Sequence, residues 1–149
     1  MLGRRRCPRD KPGPLRLNPR QMTVRRLQHV SMPYPRGSAE LVRTFYGGVL
    51  GLTEKAVPDS LREQELVWFE AGPGELELHF LPDPVQPEPA AQRHFCLEVE
   101  DVEAWRQRVE GAGVDTSDQT PIPNRPRFFC RDPFGNLIEF TTILGDYSA

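Results

Sequence analysis

The chain has 149 residues, a length that fits one domain or two small modules sharing a core. Hydrophobic residues make up 38% of the sequence, and no apolar stretch approaches the roughly 18 residues that cross a bilayer, which excludes a membrane-spanning protein. The net charge of −2 divides unevenly, because residues 1–26 carry nine Lys or Arg and one acid and the remainder is strongly acidic. An acidic body repels phosphate groups, so no nucleic-acid partner is expected. The three cysteines show no disulfide or metal-binding spacing, which favours a reducing, cytoplasmic location.

Residues 1–22 are rich in Arg, Pro and Gly and nearly lack large apolar side chains. Such a segment cannot bury enough apolar surface to offset the entropy of ordering, so we predict a disordered basic tail. Met22, directly before the first predicted strand, is a second candidate for the first residue of the protein. We place the domain at 23–146, with a first module at 23–82, a linker at 83–91 and a second module at 92–146.

The sequence of the first module predicts a strand, a helix and three short strands. The strand covers 24–32, and Ser38 is the predicted N-cap of a helix from Ala39 to about Gly47. Short strands follow at 52–57, 65–70 and 75–81. The proline-rich stretch at 82–89 then excludes any regular element.

The same pattern starts again after the linker. A strand at 93–100 precedes a helix that Asp101 caps and Gly113 ends. Strands follow near 114–116, 127–131 and 136–143, the last two joined by a tight turn at 132–136. The fold class is therefore α+β, with two βαβββ copies repeated at about 60 residues. Each copy is too small to be stable alone, so two must pack together, within the chain or across a dimer.

The histidines occupy related places in the two copies. His29 and His94 lie in the first strand of their modules, and His79 and Glu139 lie in the last strand. His79 follows His29 by 50 residues, and Glu139 follows His94 by 45. Since successive strand side chains point to opposite faces, all four belong to the face that the helices leave open. A sheet that curls would gather them on one concave surface.

Three imidazoles and one carboxylate form a ligand set that suits zinc, nickel, iron or manganese. A single histidine in a strand is more often structural than a ligand. Here, however, all three histidines and Glu139 share one face at repeat-equivalent positions. The sequence therefore predicts one divalent metal site.

The chain resembles the vicinal oxygen chelate superfamily, which includes glyoxalase I, bleomycin and fosfomycin resistance proteins and extradiol dioxygenases. The resemblance rests on an ordered set of short motifs: LQHV at 27–30, FYGGVLGL at 45–52, ELHF at 77–80, HFCLEV at 94–99 and DPFGNLIEF at 132–140. It implies paired βαβββ modules whose mixed sheets curl into a cup, with helices on the outer face. It also implies a metal held by His29, His94, Glu139 and one residue of the Glu77/His79 strand, in a cup formed by one chain or by a homodimer. The spacing favours His79 over Glu77 as the second ligand.

Three functions remain open. The first is a metal-dependent isomerase or lyase of glyoxalase type, acting on a small molecule through vicinal oxygens and an enolate or oxyanion. Glu139, or alternatively Glu77, would be its catalytic proton carrier. The second is an extradiol-type dioxygenase, which would use His29, His94 and Glu139 and which a fourth ligand would crowd. The third is a non-catalytic small-molecule binding protein of the bleomycin resistance kind, against which the complete ligand set counts.

Overall fold

A computed structural model describes residues 24–147 and contains two four-stranded mixed sheets. The first sheet has the order β1-β4-β3-β2 and the second the order β5-β8-β7-β6. In each sheet the first strand runs parallel to the last, and the remaining pairs are antiparallel. The strands are β1 (His29–Tyr34), β2 (Glu54–Lys55), β3 (Val67–Glu70), β4 (Glu77–Pro82), β5 (His94–Glu98), β6 (Thr116–Ser117), β7 (Arg127–Arg131) and β8 (Leu137–Thr141). The predicted α+β fold with two βαβββ copies is confirmed.

The helices differ more from the prediction than the strands do. Helix α1 (Ala39–Val42) is a single α-helical turn that continues as a π-helix over Arg43–Val49. A 3₁₀-helix at Asp59–Gln64 lies between β2 and β3, where no helix is predicted. Helix α2 (Val102–Gly111) begins and ends where the sequence places it, with Gly113 at a φ of 79° directly after its C-cap. Among residues 24–147 no helix is long and apolar enough to span a membrane.

The two predicted N-cap residues differ in their side-chain hydrogen bonds. The carboxylate of Asp101 accepts hydrogen bonds at 3.0 Å from the backbone N–H groups of Glu103 and Ala104. Ser38 is the N-cap residue of α1, as predicted, but its side chain makes no capping hydrogen bond. Its backbone φ of −107° and ψ of 21° differ from the extended conformation that a capping side chain needs.

We expect Asp101→Ala to lower the free energy of unfolding by about 1 kcal/mol, because two N–H groups at the start of α2 lose their acceptor. Ser38→Ala is the matched control, and we expect it to change stability by less than about 0.3 kcal/mol. Urea unfolding followed by circular dichroism measures both. Equal losses in the two variants would contradict this account of the caps.

The core lies on the helix side of both sheets. Buried aromatic and aliphatic side chains of β3, β4, β7 and β8 meet the inner faces of α1, its π-helical extension and α2; among them are Phe45, Tyr46, Phe69, Phe80, Val109, Phe128, Ile138 and Phe140. In β4, Leu78 and Phe80 point into this core, so Glu77 and His79 point to the other face. In β5, Phe95 and Leu97 pack against the core, so His94 and Cys96 point away from it. The helices therefore leave the polar faces of both sheets open.

Polar contacts join the modules within the chain. The Tyr46 hydroxyl donates to Asp132 Oδ2 at 2.9 Å, and burial raises the pKa of Tyr46 well above its usual value, so the proton stays on the hydroxyl. Asn136 Nδ2 donates to the carbonyl of Pro33 at 3.0 Å. Arg108 of α2 donates to the carbonyl of Val49 at 2.5 Å. These contacts fix the helices and the 132–136 turn against each other and leave the open sheet faces free.

Candidate metal-binding half-sites

The first cluster of predicted site residues lies on the open face of the first sheet. The ring of His79 is stacked on His29, with centroids 4.2 Å apart and planes within 10°. On its other side it stacks on Trp68, at 4.1 Å and within 7°. Strand pairing explains this column, because Trp68 lies directly opposite His79 and His29 is diagonal to it across β1 and β4. His29 and His79 thus form one candidate half-site. An imidazole binds a metal ion near its ring plane, so the two parallel rings cannot share one ion until the exposed ring of His29 turns.

Glu77 lies on the same face, and two neighbouring side chains hold its carboxylate. Its Oε1 is 2.5 Å from Lys55 Nζ, and its Oε2 is 2.7 Å from His79 Nε2. The Lys55 and His79 hydrogen bonds lower the pKa of Glu77 to about 2. Glu77 is therefore a carboxylate near neutral pH. The stability it contributes is complete above its ordinary pKa of 4.5 and is lost as the pH falls towards 2.

The second cluster lies on the open face of the second sheet. His94 Nε2 is 3.0 Å from Glu139 Oε2, and Arg127 donates to Glu139 Oε1 at 3.0 Å. Arg127 also lies over the ring of Phe129, at 5.3 Å, and Phe129 meets His94 edge-on at 5.2 Å. The side chains of Glu139 and Arg127 are only 11% and 16% exposed, so this ion pair is largely shielded from water. His94 and Glu139 thus form a second half-site.

Hydrogen bonds orient the histidines of both half-sites. His94 Nδ1 lies 2.7 Å from the carbonyl of Gln92, which can only accept, so Nδ1 carries a proton. Nε2 lies 3.0 Å from Glu139 Oε2, and because a carboxylate also only accepts, this contact needs a proton or a metal ion between the two atoms. His29 Nδ1 is 2.5 Å from Gln28 Oε1, also an acceptor, which leaves Nε2 of His29 with a lone pair. This arrangement, with one ring nitrogen tied to an oxygen acceptor, is typical of histidines that ligate metals.

The structure brings the four predicted ligands together as two pairs. Within residues 24–147 no group of three or more His, Cys, Asp or Glu side chains is placed to hold one ion. An open groove of about 310 Å³ runs between the edge strands β1 and β5 beneath the linker, and His94 is the one predicted ligand that lines it. One chain therefore presents two half-sites rather than one complete centre.

Two basic residues extend the predicted site. Lys55 and Arg127 each bind a carboxylate that also contacts a histidine, and neither is among the predicted site residues. The hairpin around the 132–136 turn fixes the register of β7 and β8 and places Arg127 diagonal to Glu139. The contact between these two residues could therefore have been predicted from the sequence. Lys55 lies in a two-residue strand, for which the sequence gives no comparable signal.

Cys96 is the remaining polar neighbour of the second half-site. It is exposed on β5 and lies opposite Glu139 in the parallel pairing of β5 with β8. Partial burial and the Glu139 charge raise the pKa of the Cys96 thiol to about 12. Near neutral pH it is therefore a protonated thiol and a weak nucleophile.

The donor set fits a divalent metal. Neutral imidazole nitrogens and a carboxylate oxygen are ligands that zinc, nickel, iron and manganese accept, and each half-site supplies two candidates. The two half-sites would have to meet to complete the ligand set.

Comparison with known proteins agrees with the fold and the motifs. Residues 26–140 match the model of the Glyoxalase/Bleomycin resistance protein/Dioxygenase superfamily. No curated protein matches the sequence. The chain belongs to this superfamily, the vicinal oxygen chelate group that the sequence motifs indicate.

Solved structures show the same fold. A putative glyoxalase family protein from Bacillus anthracis has 29% identity and a TM-score of 0.75, covering 83% of this chain and 98% of its own. An antibiotic binding protein from a Streptomyces species has 21% identity and a TM-score of 0.67, with 83% and 99% covered. Lactoylglutathione lyase from Agrobacterium tumefaciens has 21% identity and a TM-score of 0.61, with 80% and 95% covered. A lyase and an antibiotic binding protein thus share this architecture.

Proposed function

We propose that the protein is a divalent-metal-dependent enzyme of glyoxalase type, an isomerase or lyase that acts on a small molecule with adjacent oxygens. The observation that carries the proposal is the placement of four candidate ligands as two adjacent pairs on the open sheet faces, His29 with His79 and His94 with Glu139. A homodimer would complete the centre if the first half-site of one chain faced the second half-site of its partner. The bound ion would polarise the substrate oxygens and stabilise the negative charge of an enolate or oxyanion.

The side chains around the half-sites have distinct roles in this proposal. His29, His79, His94 and Glu139 hold the ion. Glu139 Oε2 is also the atom at which a proton is held while it moves between neighbouring substrate carbons. Arg127 donates to Oε1 and orients the Glu139 carboxylate. The ring of Trp68 stacks on His79 and that of Phe129 meets His94 edge-on, and these contacts orient the two imidazoles.

A non-catalytic small-molecule binding protein is the second candidate. The similarity to an antibiotic binding protein favours it, since that protein shares the fold over 83% of this chain. A binding protein of this kind does not need the ligand set, so metal content separates the two functions. Cytoplasmic location and the dimer stay predictions.

The test of the proposed function is metal content, measured by elemental analysis after loading with each candidate ion. We expect about one ion per chain in the wild type and less than about a tenth of that in His94→Ala, because the second half-site loses its imidazole. Glu98→Gln, an exposed change on the same strand, is the matched control and keeps the wild-type content.

The metal-loaded protein is then assayed for isomerisation of a glutathione hemithioacetal and for cleavage of catechols. Loss of the first activity in His94→Ala supports the proposal. A wild type that retains no ion under any loading condition would overturn it and favour the binding protein.

A further inference from the structure

Three side chains from two strands of the first sheet form a continuous hydrogen-bonded chain. Lys55 Nζ contacts Glu77 Oε1 at 2.5 Å, and Glu77 Oε2 contacts His79 Nε2 at 2.7 Å. The side chains of Glu77 and His79 are 8% and 14% exposed, and that of Lys55 is 32% exposed. The ligand set and proton transfer proposed above give no role to Lys55 or Glu77.

Strand register brings these groups together. Lys55 pairs with Trp68 across β2 and β3, and Trp68 pairs with His79 across β3 and β4. Glu77 lies two residues before His79 on β4, so both point to the same face. The lysine therefore reaches Glu77 diagonally across the sheet. This contact depends on the fold and not on any local motif.

The contacts leave His79 with one orientation and one tautomer. A carboxylate held by an ammonium group can only accept hydrogen bonds, so the proton between Glu77 and His79 belongs to Nε2 of the ring. Nδ1 then has the free lone pair. Trp68 and His29, stacked on opposite sides of the ring, restrict its rotation out of this plane.

We propose that Glu77 and Lys55 are positioning residues, which hold His79 as its Nε2–H tautomer and leave Nδ1 as its metal-binding atom. The metal part rests on the proposed function, whereas the tautomer can be measured without any metal. A carboxylate that orients a ligating imidazole strengthens binding, and removing such a partner weakens metal affinity by about 10- to 100-fold. Lys55 acts on His79 indirectly, by holding the carboxylate of Glu77.

The first experiment is a long-range ¹H–¹⁵N spectrum of the metal-free full chain at a pH where the histidines are neutral. The chain has only three histidines, so single His→Gln variants assign the signals. We expect wild-type His79 as the Nε2–H tautomer and a mixture of tautomers in Glu77→Gln. We expect Lys55→Met to give a similar mixture of His79 tautomers and Lys55→Arg to keep the wild-type tautomer. Glu70→Gln, the exposed neighbour directly opposite Glu77, is the matched control.

The second experiment is metal titration of the same variants. Glu77→Gln should bind about 10- to 100-fold more weakly than the wild type but reach the same stoichiometry. His79→Ala should not reach that stoichiometry. An Nδ1–H tautomer in wild-type His79, or an unchanged tautomer in both Glu77→Gln and Lys55→Met, would overturn the inference. Loss of stoichiometry in Glu77→Gln would also overturn it, because Glu77 would then be a ligand. A wild type that binds no metal overturns the proposed function and leaves the tautomer result standing.

Discussion

Asp132→Ala is expected to lower the free energy of unfolding by about 3–5 kcal/mol, the largest loss of stability among single changes in the 132–136 turn. The carboxylate accepts four hydrogen bonds at 2.7–2.9 Å, from the Tyr46 hydroxyl, the Asn136 side chain and the backbone N–H groups of Phe134 and Asn136. Alanine leaves all four donors buried without this acceptor. It also releases the contact between the first-module helix and the second-module turn.

Urea unfolding measures this loss, with Asp118→Ala as the control. Asp118 bonds Arg106 at the surface and its side chain is 77% exposed, so its removal should cost less than about 1 kcal/mol. Tyr46→Phe removes one of the four donors and should cost about 1 kcal/mol. A small effect of Asp132→Ala, similar to that of Asp118→Ala, would show that the turn does not tie the modules together.

Glu139→Gln should abolish metal binding and also lower the free energy of unfolding by about 2–4 kcal/mol. The amide keeps the shape of the side chain, but it removes the negative charge that a divalent ion and Arg127 both need. An arginine that is largely shielded from water then lacks its counter-ion, which is strongly destabilising. The two losses have different origins and can be separated.

The double variant Arg127→Met with Glu139→Gln separates the loss of stability from the loss of metal binding. Removing the guanidinium together with the carboxylate should recover most of the stability, because no uncompensated charge remains. Metal binding should not return. Recovery of metal binding in the double variant would mean that Glu139 is a structural partner of Arg127 and not a ligand.

Strand content and face assignment follow closely from the sequence. Alternating polar and apolar residues in 75–81 and 93–100 indicate which side chains enter the core, and Leu78, Phe80, Phe95 and Leu97 do so. The turn at 132–136 also follows, because an Asp with Pro and Gly favours a tight turn, and Gly135 has a φ of 89°. Local patterns suffice for these features because the interactions that set them lie within a few residues.

Other features depend on long-range contacts and could not be predicted in the same way. The π-helix at Arg43–Val49 contains two consecutive glycines, and helical spacing alone does not distinguish it from an α-helix. The first strand begins at His29 instead of residue 24, because its ladder extends only as far as its parallel partner β4. The engagement of Glu77 by Lys55 requires the pairing of three strands. The division of the ligands into two half-sites depends on how the modules pack.

Whether two chains share each metal centre is tested most directly by mixing two inactive variants. His29→Ala lacks the first half-site and Glu139→Ala the second, so neither homodimer should bind metal. After denaturation and joint refolding, a mixed dimer would contain one centre with both half-sites intact. Random pairing then predicts about a quarter of the wild-type metal content, measured by elemental analysis. His29→Ala mixed with His79→Ala, two changes in the same half-site, should give none. No metal in the first mixture, beside full metal content in refolded wild type, would contradict a centre shared between chains.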